Sequence, residues 1–132
     1  MRSRYAAFAL GLGGYLVDTL ATTHPDATLP REALVATLSK ARATQRFTGL
    51  QILFSAVDEN LDRGQVLFHA RIFVGTFANA RDASFVELSD FVREGGAWRY
   101  AGGVSASAKR FADELSALTP TTFLARVAAT DD

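Results

Sequence analysis

Residues 1–20, MRSRYAAFALGLGGYLVDTL, admit two readings, and the choice between them decides the fold. Arg2 and Arg4 precede an apolar run from Tyr5 to Val17. A basic head before roughly 7–15 apolar residues is the outline of an export signal. No convincing small-x-small cleavage site stands before or after Asp18, however, and "LATTH" is a poor one. Tyr5, Phe8, Leu12 and Tyr15 or Leu16 recur at steps of three or four, which is the stripe of a helix lying on other apolar surface. Read as structure, residues 2–22 form two shorter helices meeting at Gly11, Gly13 and Gly14, because glycine weakens a helix interior. This reading expects a cytoplasmic chain, with Arg2 and Arg4 at the rim of a folded domain.

Composition agrees with a packed domain. The chain has 132 residues, 48% of them hydrophobic and 21% charged, with ten Phe, enough for one core. Fourteen basic and fourteen acidic residues are scattered and cancel, so no basic face for nucleic acid is expected. The absence of cysteine excludes disulfides, thiolate nucleophiles and Cys-ligated zinc. No run approaches the ~18 apolar residues that span a bilayer.

Outward from the first helices, "THPDATLP" (23–30) is a loop between prolines, and Arg31 opens a helix carrying Leu34, Leu38 and Ala41 to about Gln45. The pattern changes at Phe47. Residues 47–57, 65–77, 83–92 and 98–104 are rich in branched and aromatic side chains and are separated by turn-like segments. Four such strands make an antiparallel meander, and the long second one implies strong curvature. Helices followed by strands indicate an α+β fold. After Ser105 the chain returns to helix, with a Phe111–Leu115–Leu118 stripe. Pro120 interrupts it, and Thr121 or Thr122 caps a last short helix through Phe123, Leu124 and Val127. The expected division is a domain over 1–104 and a helical extension, 105–132, packed on it, with a frayed tail at 130–132.

Strand facing follows from loop centres. If the loops centre near Leu61 and Arg81, even-numbered residues share one face: Leu50, Ile52, Phe54, Val66, Phe68, Ile72, Val74, Val86, Leu88 and Val92. That face is apolar and is expected beneath the helices. The odd face then mixes Gln51, Ser55, His69, Arg71, Glu87, Ser89 and Arg93 with Phe73, Phe77, Phe85 and Phe91, a surface suited to a partner or a second copy.

The segments "MRSRYAAF", "HP", "FTGLQIL", "FHAR", "VELSDFVREGGAW" and "YAGG" occur in this order over residues 1–103. Together they resemble the middle domain of YchJ-like bacterial proteins, within the nuclear transport factor 2-like (cystatin-like) superfamily. The resemblance implies a cone of helices wrapped by a curved sheet, with a pocket at the open end. It does not imply a function, since the superfamily includes isomerases, dehydratases, binders and interaction domains. The family carries cysteine-rich metal-binding segments beside this domain, which the cysteine-free chain lacks, so a zinc-linked role is not expected. The family pattern His-Glu-x-Ser-Arg-Phe reads Val86-Glu87-Leu88-Ser89-Asp90-Phe91 here. Hydrocarbon and a carboxylate therefore stand where the family has His and Arg. The segment after Ser105 has no counterpart in the part that resembles the family.

On this reading Tyr5, Tyr15, His24, Val86, Leu88, Asp90 and Trp98 line the pocket. Asp90, the one acid on the apolar face, is the candidate general base, or it pairs with Arg99 or Arg4. His24 is a turn residue beside proline, and His69 lies on a solvated or partner-covered face with no acid in register to orient it. Glu87 and Arg71 make a surface cross-strand pair. Trp98 faces the odd side if Gly95-Gly96 is a two-residue turn and flips if the loop is one longer. The two histidines have no ligand spacing, "DENLDRG" has Arg63 and His69 where a calcium loop needs Gly and Glu, and "GLGG" follows a helix rather than a strand. No metal or cofactor is expected. The functions compatible with the residues are a non-catalytic domain binding a small apolar ligand or a protein partner, an acid–base isomerase or dehydratase using a pocket carboxylate, and a dimeric scaffold joined through the sheet.

Overall fold

The computed structural model describes residues 1–76 and 78–129. Phe77, expected on the odd face, and the tail 130–132 lie outside them. Helices α1 (Arg2–Leu10) and α2 (Gly13–Asp18) meet at the glycines, as the sequence indicates. A single 3₁₀ turn, Pro25–Thr28, leads to α3 (Arg31–Ser39) and α4 (Ala41–Thr44). A Cβ on Gly13 would lie 2.3 Å from the Val35 carbonyl oxygen, so only glycine lets α2 cross α3 this closely.

The sheet comprises β1 (Gln45–Asp58), β2 (Arg63–Val74), β3 (Arg81–Asp82), β4 (Phe85–Glu94) and β5 (Ala97–Ser107). Its order is β1-β2-β4-β5, antiparallel throughout, with the short β3 paired to β2. This is the expected α+β architecture, a curved antiparallel sheet with helices laid on it. Two boundaries differ from the sequence reading. β5 runs on to Ser107, absorbing residues assigned to helix, and the segment after it is two 3₁₀ turns (Ala108–Phe111 and Leu115–Ala117) before α5 (Pro120–Ala129). Pro120 opens that helix, where its missing N–H costs nothing.

The larger correction concerns the faces. Residues 75–84 are not a loop centred at Arg81. Arg81–Asp82 turn back onto Phe73–Val74 as β3, and Ala83 N–H donates to the Ile72 carbonyl. The resulting register sets Phe68 opposite Glu87 and Leu67 opposite Leu88. A slip of one residue exchanges the faces of a whole strand. The inner face, under α1, therefore carries the even residues of β2 with the odd residues of β4. Phe68, Ala70 and Ile72 form its buried cluster, with Tyr5, Phe47, Leu50, Ile52, Val66 and Phe85 around them. The outer face carries Leu67, Val86, Leu88 and Ala106, and the chain's own C-terminal segment covers it through Ala108, Phe111, Leu118 and Phe123. Of the phenylalanines expected together on the odd face, Phe85 and Phe91 instead point into the cone, while Phe73 stays on the outer side beside His69 and Arg71.

Candidate functional site

Between the helices and the inner sheet face lie two adjoining cavities, of about 230 and 170 Å³, that share Met1, Arg4 and Tyr100 in their walls. The larger is lined by Tyr15, Thr19, Val66, Phe91 and Trp98, among others. The smaller is lined by Tyr5, Phe8, Phe47, Phe68, Phe85 and Glu87.

Glu87 sits at the centre of the polar cluster. Its Oε2 accepts from the Tyr100 hydroxyl at 2.8 Å and from Ser89 Oγ at 2.5 Å. Tyr100 reaches it through a bulge. Asp90 pairs with Gly102, whereas Phe91 pairs with Tyr100, so Ala101 is the extra residue that turns Tyr100 inward. Gly103 makes room behind the carboxylate, since a Cβ there would lie 2.7 Å from Glu87 Oε2. Burial, then the charge of Glu87 and the hydrogen bond to it, push the Tyr100 hydroxyl far above its ordinary pKa of 10.0.

Arg4 is only 6% exposed. Its Nη1 donates to the Leu16 carbonyl at 2.9 Å and to Thr19 Oγ1, and its guanidinium lies 4.8 Å from the centre of the Tyr100 ring. Burial lowers its pKa, while Tyr100, Tyr15 and Glu87 act in the opposite direction. The β5 edge is stitched to the helical layer beside this cluster. Tyr100 N–H donates to Thr19 O at 2.7 Å, and Ala21 N–H donates to Tyr100 O at 2.9 Å.

The residues singled out from the sequence are divided by the register. Tyr5, Tyr15 and Trp98 do line the cavities. Tyr15 donates to Ser3 Oγ at 2.7 Å, and Tyr5 Oη accepts from Gly49 N–H at 2.8 Å. The turn before Trp98 is the two-residue Gly95-Gly96 form, with Glu94 opposite Ala97, and Trp98 sits beside Arg93, whose guanidinium is 4.4 Å from the indole. His24 instead accepts the Asp26 N–H at 3.0 Å and starts the 3₁₀ turn, its ring 5.6 Å from that of Tyr100.

Val86 and Leu88 are buried on the outer face beneath the C-terminal segment, so the apolar pocket lining inferred from them does not exist. Asp90 is exposed and accepts from Gln65 Nε2 at 3.0 Å, and it pairs with neither Arg4 nor Arg99. Arg99 pairs with Glu94 at 3.7 Å. Glu87 does not pair with Arg71 across a solvated face, because it faces inward while Arg71 is exposed. His69 is not solvated either. It is 8% exposed, beside Ser84, Asp82 and Ala108, and its Nδ1 has no hydrogen-bond partner among the described residues. Sequence reasoning missed Glu87, Ser89 and Arg4. A signal was present, since the chain keeps Glu87, Ser89 and Phe91 of the six-residue family pattern, and these alternate residues are the ones that face inward.

Comparison with known proteins agrees with this architecture. The family model described as the YchJ middle NTF2-like domain matches residues 1–103. A UPF0225 protein of Chromobacterium violaceum is 41% identical over 107 residues, which is 80% of this chain and 71% of that protein. The solution structure of a SEC-C motif containing protein from Rhodopseudomonas palustris is 30% identical, with a TM-score of 0.61 over 79% of this chain and 73% of that one. A domain of unknown function with a cystatin-like fold from Nostoc punctiforme, 14% identical, aligns with 98% of this chain and 89% of its own at a TM-score of 0.59.

Proposed function

The chain belongs to the YchJ middle NTF2-like domain family, and from that premise we propose that it is a non-catalytic binding domain holding a small, mainly apolar molecule inside the cone. One observation carries the reading, namely the pair of aromatic-walled cavities with a fixed polar cluster on one side. Sites for small ligands are concave, mostly apolar and furnished with a few placed polar groups. The test is a fragment screen followed by amide NMR shifts, on the wild type and on Val66→Phe, which fills the larger cavity. Binding that shifts amides around Tyr15, Phe91 and Trp98, and is lost in V66F, supports the reading. Shifts elsewhere only, or none, overturn it.

A second reading, acid–base catalysis, now rests on Glu87 in place of Asp90. It is the one carboxylate in either cavity wall among the described residues. Two hydroxyls already donate to its Oε2, which leaves only Oε1 for proton transfer.

A further inference from the structure

Arg4 and Glu87 stand in the wall of the same cavity without forming a direct ion pair. Each keeps unused hydrogen-bonding capacity. Arg4 spends Nη1 on Leu16 and Thr19, while Nε and Nη2 take no acceptor among the described residues. Glu87 spends Oε2 on Tyr100 and Ser89, while Oε1 receives no donor among them. A guanidinium carries five N–H donors, and water reaches these free atoms, since among the described residues only His69 Nδ1 is a buried side-chain atom without a partner. The pair offers donors and an acceptor in one cavity wall that is otherwise mostly aromatic and aliphatic.

From this we infer that the ligand is uncharged and presents a hydrogen-bond acceptor next to a donor, as an aryl carboxamide or a lactam does. The inference rests on the binding reading above. The two wall charges cancel, so neither sign of ligand charge is favoured by the site as a whole. A carboxylate would satisfy Arg4 but face Glu87. A cation would satisfy Glu87 but face Arg4. A plain hydrocarbon would leave both unsatisfied in a space it has dried. A carbonyl toward Arg4 and an N–H toward Glu87 satisfy both, and Phe85, Phe68 and Tyr100 supply apolar contact.

The experiment uses four probes of nearly one size: benzamide, benzoate, benzamidine and toluene. Each is titrated into the full chain and followed by amide NMR shifts. The expected order has benzamide tightest, by about fivefold or more over each of the others, since each of those displaces water from the two wall groups and leaves at least one of them unmatched. In Glu87→Gln the repulsion of anions is removed, and benzoate should gain about tenfold on benzamide. Benzoate, benzamidine or toluene binding as tightly as benzamide in the wild type overturns the inference and leaves the binding reading standing. If none of the four binds, the inference fails, and the binding reading is decided by the fragment screen above. An unchanged benzoate-to-benzamide ratio in E87Q also overturns the inference, and it does so without requiring any change in fold, because the glutamine oxygen still accepts from Tyr100 and Ser89.

Discussion

The Tyr100 hydroxyl donates to Glu87 Oε2 at 2.8 Å across two neighbouring strands, inside a cone that otherwise shows mostly hydrocarbon. Burial, and then the charge it serves, keep the tyrosine protonated. Ionising it would bury a second negative charge beside the first. A spectrophotometric titration should therefore show one tyrosine whose ionisation is delayed until the protein unfolds. Tyr100→Phe should abolish the delayed step and cost about 1–3 kcal/mol in urea unfolding, because the carboxylate loses one of its two donors.

Gly103 is predicted to be intolerant of a methyl group. In Gly103→Ala the new Cβ meets Glu87 Oε2 at 2.7 Å and the Leu88 carbonyl oxygen at 2.9 Å, and the second of these is backbone that cannot move aside. Overpacking of this kind costs roughly 1–3 kcal/mol. The same variant should bring the delayed tyrosine titration closer to normal, since it pushes the carboxylate away from Tyr100. A stable variant with an unchanged titration would show that the backbone relaxes.

His69 predicts a dependence of stability on pH. Burial, reinforced by Arg71, lowers its pKa below the ordinary 6.5, and Asp82 opposes this in part. The unfolded chain then takes up the histidine proton near pH 6.5, while the folded chain resists until lower pH. Stability from this source is full above about 6.5 and declines as pH falls through the folded value, below which it levels off. Asp82, held below its ordinary 3.8 by its hydrogen bonds with Ser84, adds a separate loss only at more acidic pH. The other charged group facing the histidine is Lys109. The urea midpoint should be lower at pH 5.5 than at 7.5, and His69→Gln should remove most of that difference.

The C-terminal segment should matter to stability as much as the helices that line the cavities. Phe123 is fully buried, 5.4 Å from the Phe111 ring, over Leu67, Val86 and Leu88. Phe123→Ala should cost about 3–5 kcal/mol. The neighbouring Leu124 is 43% exposed, and Leu124→Ala should stay within about 0.5 kcal/mol, which makes it the control in the same urea experiment.

The sequence disclosed the layers better than the sides. The helical stripe from Tyr5, the break at the glycines and the four alternating segments after Phe47 were legible because each is a local periodicity. The family pattern added the cone. Which strand residues look inward was not legible, because it depends on the parity of the connection between β2 and β4. That connection folds Arg81–Asp82 back as a strand too short to announce itself. One residue of error there moved Glu87 and Ser89 from inside to outside, and Val86, Leu88 and Asp90 from outside to inside. The Ala101 bulge that presents Tyr100 was hidden for the same reason, since a bulge leaves little trace in composition.

The strand β1, at one end of the sheet order, is irregular in two places, between Phe47 and Gly49 and between Ile52 and Phe54. Each irregularity interrupts the straight row of backbone donors and acceptors that an incoming strand would need for pairing. A fourteen-residue straight edge would be a template for intermolecular β-structure, and each break shortens the stretch that could pair. The two irregularities thereby make the β1 edge a poorer template for the strand of a second chain.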